Sequence, residues 1–438
     1  MKRKIRFLSM LLALLMLCMP LFGCNKDQNS DGQTSDSDAQ TTSGEPTFRL
    51  NDVAMTEYTI VYNGTSGKQA LVYFNSKMNQ AYKIQLESTT TVDDGNQIFI
   101  GVVGNDASVI EFFESCEGGM IGFDGKSVYL LAKDSAGLFS VIDAFFAKAA
   151  ADGADTVVTV SENENIALTT DSLTVMSYNV LYDMYYDDAK KLPRDMDALA
   201  EFIKSQSADV FGTQETLDEH KEAILKAMPN YDCYKGIKLR GAWLSNMIFW
   251  NADKYKKVES GFQYLTDTPF VESKIPESNS YRGFSYVVLE SLVTHKQFLV
   301  VDVHITYRGS DGEASGSIVK QARLKQAQYL VKFLENKKYE AMPIILVGDF
   351  NSVPGSDALN VVEDSARIDR TVNVANSKGD VGGTIDGSQH TVRQNYVFDH
   401  IFVTSDRITT EYYTAVDQKV NGRYPSDHLP VIAKLVIY

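Results

Sequence analysis

Apolar and polar positions alternate along this chain in two stretches of regular structure. From residue 171 onward apolar runs recur at strand length: LTVMSYNV, DVFGTQE, LSNMIFW, YVVLESLV, FLVVDVHI, PIILVG, FDHIFVT and VIAKLVI. DMDALAEFIKSQ, a segment near 217–228 and residues 318–335 carry the spacing of amphipathic helices instead. Several strands follow one another with no helix between them. That argues against a simple doubly wound sheet and predicts two packed sheets with helices outside.

Upstream the pattern is shorter. QIFIGVV (97–103) reads as a strand, and MIGF and SVYLLA flank Asp124-Gly125-Lys126, a hairpin with DG at its turn. SAGLFSVIDAFFAKAA (135–150) places Leu138, Val141, Ile142, Phe145 and Phe146 on one helical face, and TVVTV (156–160) is a further strand. These elements predict a small α/β accessory domain over 47–170, without a convergent polar cluster, ahead of a larger domain over 171–438. At the level of pattern, the first unit resembles the small non-catalytic domain that precedes the barrels of β-hexosaminidases and α-glucuronidases.

Neither pattern extends to the N-terminus. MKRKIR is basic, Phe7 to Pro20 is apolar, and Leu21-Phe22-Gly23-Cys24 follows. The apolar run is shorter than the roughly 20 residues a stable span requires. The junction resembles the lipobox of bacterial lipoproteins. That resemblance implies a signal peptide over 1–23, lipid on Cys24 as the mature first residue, and a position on the cell membrane facing outside the cytoplasm. Residues 24–46, which include NKDQNSDGQTSDSDAQTTSGEP, hold no large apolar side chain after Cys24 and read as a disordered stalk.

Charge narrows the partners. The chain carries a net −15, and loss of Lys2, Arg3, Lys4 and Arg6 with the leader takes it to −19. Residues 171–438 hold 30 basic and 36 acidic side chains, a net of −6, so residues 24–170 carry −13. Such a surface favours solubility over long-range attraction to a polyanion. Cleavage leaves Cys24, Cys116 and Cys233, and no CxxC or Cys/His cluster occurs, which argues against structural zinc. A disulfide between Cys116 and Cys233 is neither implied nor excluded.

Chemistry gathers at the strand ends of the larger unit. VGDFNSVPGS (347–356) puts Asp349 and Asn351 at the mouth of a buried strand, before a turn at Pro354-Gly355. Alone, that is a capped turn, because both side chains bond their own backbone. But Asn179 ends LTVMSYN, Glu215 ends DVFGTQE, His304 ends FLVVDVH, Asp399 sits in YVFDHIFV, and Asp427 and His428 precede the last strand in PSDHLPV. Repetition at one strand end after another predicts a site. No phosphate-cradling glycine loop and no serine nucleophile motif is present. His220, His295 and His390 lack a motif and read as surface or turn residues. His400 faces away from Asp399 if 397–403 is a strand. The tyrosine-rich stretch 181–188 reads as a packed loop rather than a substrate platform.

In order, SYNV, GTQE, VDVHIT, VGDFNSVPGS, FDHIFV and SDHLPV resemble the endonuclease/exonuclease/phosphatase superfamily across nearly all of 171–438. The resemblance implies an α/β fold, a four-layer αββα sandwich, with a divalent metal and hydrolysis of phosphate esters. Magnesium, with manganese as the substitute, prefers oxygen ligands. Glu215 is the first candidate ligand, with Asn179 beside it and Asp427 near a second ion or shaping the site. His428 takes the proton of the attacking water, Asp399 holds its ring, and Asp349 and Asn351 orient the water or the leaving oxygen. His304 donates to a phosphate oxygen. Two positions depart from the family pattern. Leu181 stands where many members carry an acid, which puts abasic-site cleavage in doubt. His304-Ile305-Thr306 replaces a common His-Leu-Asp.

The expected function is a surface-anchored, metal-dependent phosphoesterase of lipid head groups or small phosphorylated molecules. An extracellular nuclease and a catalytically inert surface binding protein are the alternatives. The oligomeric state is open.

Overall fold

The computed structural model describes residues 47–102, 118–133, 135–183, 185–187, 192–237, 245–365, 368–385 and 395–438. Cys24, the leader, the stalk, Cys116 and His390 lie outside them. Among the described residues no helix is long and apolar enough to cross a membrane.

Residues 48–166 build two sheets. In the larger, β1 (Tyr58–Tyr62), β2 (Asn96–Val102) and β4 (Val128–Ala132) run parallel, and β3 (Gly119–Phe123) returns antiparallel to β4 across the Asp124-Gly125 turn. Among the described residues two helices cover it: α1 (Gly64–Tyr82) and α2 (Ser135–Ala147). One cluster fills the space between, with Phe74, Met78, Ile98, Leu130, Val141 and Phe145 all buried.

Residues 171–437 build the four-layer αββα sandwich. The seven-stranded sheet centres on β5 (Asp171–Asn179), β6 (Val210–Thr216), β8 (Ser245–Asn251) and β15 (Val431–Ile437), with β7 (Tyr231–Tyr234) and β14 (Ile408–Ala415) towards its edges. The six-stranded sheet runs β9 (Tyr255–Tyr264), β10 (Gly283–Ser291), β11 (Gln297–His304), β12 (Ile344–Asp349) and β13 (Asp399–Val403), closed by Asp369–Arg370. Helices α3 (Met196–Ser205) and α4 (Asp218–Ala227) cover the first sheet, and α5 (Ser317–Leu334) and α6 (Asp357–Glu363) the second.

Strand parity decides which residues meet between the sheets, because successive side chains point to opposite faces. Leu173 and Val175 of β5, Val210 of β6, Phe298 and Val300 of β11, Ile345 and Val347 of β12 and Ile401 and Val403 of β13 share one buried cluster there. Intervening residues such as Met176, Phe211, Leu299, Leu346 and Phe402 pack under the helices. Gly212 keeps the layer thin: a Cβ there would stand 2.5 Å from Val347 and 2.8 Å from Asp302.

Candidate active site

Followed to one end, the same inner-facing parity runs out of apolar residues. The next inward positions are Asn179 on β5, Gln214 on β6, Asp302 and His304 on β11, Asp349 on β12 and Asp399 on β13, all buried. Parallel pairing sets His304 beside Asp349, and antiparallel pairing sets Asp349 beside Asp399. The opening between the sheets is therefore polar, built from five strands.

Asp349 Oδ2 is where these side chains converge. Asn179 Nδ2 donates to it at 3.0 Å and Asn351 Nδ2 at 3.3 Å, with His304 Nε2 at 3.4 Å and His428 Nε2 at 3.7 Å. The other oxygen, Oδ1, accepts Asn351 N–H at 2.8 Å. The turn cap suggested by VGDFN is thus real and is also part of the site. His428 Nδ1 lies 2.7 Å from Asp399 Oδ2. Burial opposes charge on His428, but Asp399 and Asp349 on either side of the ring overcome it and raise its pKa well above the usual histidine range. Burial likewise raises the Asp349 carboxyl, to about 7, against the lowering effect of the His428 charge. Asp349, Asp399 and His428 offer three ligand atoms within 4.8 Å of one another. A 2.7 Å separation between nitrogen and carboxylate oxygen is also that of a strong charge-assisted hydrogen bond.

His304 is fully enclosed. Arg282 Nη1 stands 3.2 Å from its Nδ1, while Asn351 Nδ2 at 3.2 Å and Asp349 Oδ2 at 3.4 Å face its Nε2. Burial, then the Arg282 charge, holds the ring neutral. Both nitrogens are engaged within the protein, which alters the phosphate-donor role read from sequence. Arg282, at the entry to β10, is a residue the sequence did not single out; YRGFSY carries no motif. Its charge also acts on Glu215 and Asp349.

Glu215 sits where β6 leaves its ladder: the pairing with β8 is irregular between Thr213 and Thr216, and Glu215 has φ +57°. Leu181 (φ +58°) and Asn351 (φ +46°) are left-handed as well. Such non-glycine conformations cost about 1–3 kcal/mol each and persist only where the surroundings enforce them. Three border this one opening. Tyr182 N–H donates to Glu215 Oε2 at 3.2 Å, Leu181 N–H to Asn179 Oδ1 at 3.0 Å. Burial and the nearby Asp427 charge raise the Glu215 carboxyl. Asp427 itself is exposed. An anionic group destabilised by burial and by a second carboxylate is a fitting ligand for a hard dication, and Glu215, Asn179 Oδ1 and Asp427 are oxygen donors. The residues present therefore fit a divalent metal.

The remaining histidines separate. His400 faces the helix layer, its Nε2 3.2 Å from Ser352 O. His295 is exposed at a turn. His220 corrects the surface assignment: it is fully buried, and its Nδ1 accepts Leu217 N–H at 3.0 Å to cap α4. Thr306 is also buried; Gln326 Oε1 of α5 accepts its N–H.

An inter-sheet opening that gathers carboxylates, an imidazolium and an arginine in an αββα sandwich defines a hydrolase site for anionic esters. The model of the Endonuclease/Exonuclease/phosphatase family matches residues 176–428, and the chain belongs to that family. It is a hydrolase of the phosphoesterase and nuclease class, whose enzymes generally use divalent metals. Among solved structures, it is similar to an endonuclease/exonuclease/phosphatase family protein from Bacteroides thetaiotaomicron (25% identity, TM-score 0.55, 62% of this chain and 100% of that one). It is also similar to a mannosyl-6-phosphatase of the same organism (26% identity, TM-score 0.53, 60% and 99%). A family protein of Bacteroides vulgatus, at 22% identity and TM-score 0.54 over 61% and 100%, shares the fold. No curated protein matches the chain.

Proposed function

We propose that the enzyme removes or transfers to water the phosphoryl group of small phosphate esters, with magnesium, or manganese in its place, as cofactor. One observation carries this: the convergence of Asn179, His304, Asn351 and His428 on a single oxygen of Asp349, beside the Glu215 carboxylate. The likeness to a mannosyl-6-phosphatase over nearly all of that chain supports a small phosphorylated substrate. The net −6 of residues 171–438 supports the same choice against duplex nucleic acid, whose binding depends on basic side chains.

A bound divalent cation would supply charge neutralisation at the phosphoryl oxygens, with Glu215, Asn179 and Asp427 to hold it. Arg282 adds a guanidinium directed at the same anion. With His428 already charged between Asp399 and Asp349, the proton of the attacking water passes to Asp349, whose raised pKa suits it to accept near neutrality. His428, held by Asp399, then serves as the charged donor to the phosphoryl group. This exchanges the base role read from sequence between His428 and Asp349. His304 fixes Arg282 on one side and Asp349 on the other.

Anchoring of the chain through lipid on Cys24, at the outer face of the membrane, rests on the junction Leu21-Phe22-Gly23-Cys24. Cys24→Ala expressed in the native host tests it; a variant that stays in the membrane fraction and is processed normally refutes the anchor. The substrate is tested by a magnesium-dependent hydrolysis screen over sugar phosphates, inositol phosphates, sphingomyelin, RNA and DNA. Turnover of plasmid DNA with none of any small ester would establish the nuclease instead. No metal-dependent turnover of any of them would leave the inert binding protein.

A further inference from the structure

The loop after Asn179 and the loop before His428 come from opposite ends of the catalytic region, yet the chemistry needs them in register. The first carries Leu181 and Tyr182, whose N–H groups fix Asn179 Oδ1 and Glu215 Oε2. The second carries Pro425, Ser426, Asp427 and His428. A buried arginine joins them. Arg194, buried just ahead of α3, donates through Nη1 to the carbonyls of Leu181 and Asp183, the latter at 3.1 Å, and through Nη2 to the carbonyl of Pro425. Ser426 Oγ adds a second tie, donating to Asn179 O at 2.6 Å and accepting His428 N–H at 3.2 Å.

Burying a guanidinium is costly. An aliphatic side chain would fill the space without that cost. What it would lack is a planar fork whose two arms reach different loops, one of which contains a residue held at φ +58°. His220 lies close enough for the Arg194 charge, after burial, to lower its pKa to about 4.

We propose that Arg194 is a positioning residue for the hydrolysis: it sets the distance between the metal-side carboxylate, through Tyr182, and the proton-transfer side, through Pro425 to His428. Both arms donate to backbone carbonyls. The inference rests on the site proposed above, and its test separates the two.

Arg194→Met and Arg194→Lys are compared with wild type and with Arg407→Met. Arg407 is an equally buried arginine, stacked 4.3 Å from the Phe139 ring and 5.0 Å from the Tyr73 ring, away from the site. Four quantities are read below the melting transition: kcat, the magnesium concentration for half-activation, the pH–rate profile, and the ring signals of His428 in nitrogen-15 spectra. We expect Arg194→Met to lose about 10–100-fold in kcat or in magnesium response, the usual scale for residues that orient metal ligands. Its His428 signals and pH profile should shift, and added guanidinium should restore part of the rate. Lysine, a point charge, should not substitute. Arg407→Met should melt earlier with all four quantities unchanged. Wild-type values of all four in Arg194→Met, or in Arg194→Lys if the methionine variant does not fold, overturn the proposal. If magnesium does not affect wild type, the metal assignment fails, and Arg194 is then judged on the His428 signals and the pH profile.

Discussion

The sheet of residues 48–166 and the sandwich of residues 171–437 obey the same strand parity but end differently. Among the described residues of the first, the buried polar side chains are Gln97, Ser127 and Ser140, and none is titratable. The second buries Asp302, His304, Asp349, Asp399 and His428 in one layer. Burying an ionisable group costs several kcal/mol unless it is paired, and even paired it rarely improves on a hydrophobic substitute. Among its described residues the first region buries no carboxylate, imidazole, ammonium or guanidinium. The second retains five such groups at one opening, which is the signature of use rather than stability.

Two substitutions probe that contrast at full strength. His428→Ala should lower kcat by about 10²–10⁴-fold, the usual contribution of a positioned proton-transfer group. Phe145→Ala, in the core of the first region, should cost about 3–5 kcal/mol of stability while kcat below the transition stays at the wild-type value. Calorimetry beside steady-state rates checks both. A variant of Phe145 that melts normally but is inactive would mean that the first region takes part in the chemistry.

A smaller effect sharpens the comparison through pH. His428 and Asp349 both have folded-state pKa values raised above their ordinary ones. A raised value means that the folded state holds the proton more tightly. For His428 the added stability is complete below about pH 6.5 and is lost as pH rises through the higher folded value. For Asp349 the folded state is favoured as pH falls below about 7. The melting advantage of wild type over His428→Gln should therefore shrink between pH 6 and alkaline pH. An advantage that grows with pH would contradict the imidazolium between two carboxylates.

The smallest effect belongs to Asp302. Burial raises its carboxyl well above the usual carboxylate range. Gln214 Nε2 donates to its Oδ1 at 2.6 Å, while among the described residues its Oδ2 and Gln214 Oε1 have no hydrogen-bond partner. Asp302→Asn supplies a donor at that point and should melt within about 1 kcal/mol of wild type or slightly above it. A loss of several kcal/mol would show that the charge is present.

Most of the site was legible because its residues occupy strand ends, where a period of two and a polar residue after an apolar run are visible by eye. Asn179, Glu215, His304, Asp349, Asn351, Asp399, Asp427 and His428 all border the one opening. Arg282 and Arg194 were not legible. Each acts through loop geometry that places it beside residues far away in sequence, and neither sits in a periodic pattern. The helix over Gly64–Tyr82 escaped for a different reason: its buried positions, Ala70, Leu71, Phe74 and Met78, are spread among polar residues. So did the strand Tyr255–Tyr264, whose outer half is charged, the edge strand Tyr231–Tyr234, and Ile408–Ala415 one place in from the other edge, the last two rich in tyrosine and polar side chains.

The most direct measurement is a magnesium titration of wild type and Glu215→Gln, followed by phosphate release from whichever small ester the screen identifies and by the melting temperature with and without the ion. The carboxamide keeps the size of the side chain and removes the charge opposite a cation. We expect magnesium to activate and raise the melting temperature of wild type, and to do neither in Glu215→Gln, with the two metal-free proteins melting alike. Wild-type turnover by Glu215→Gln, with an undiminished response to magnesium, would contradict the assignment of this opening as a metal-dependent phosphoesterase site.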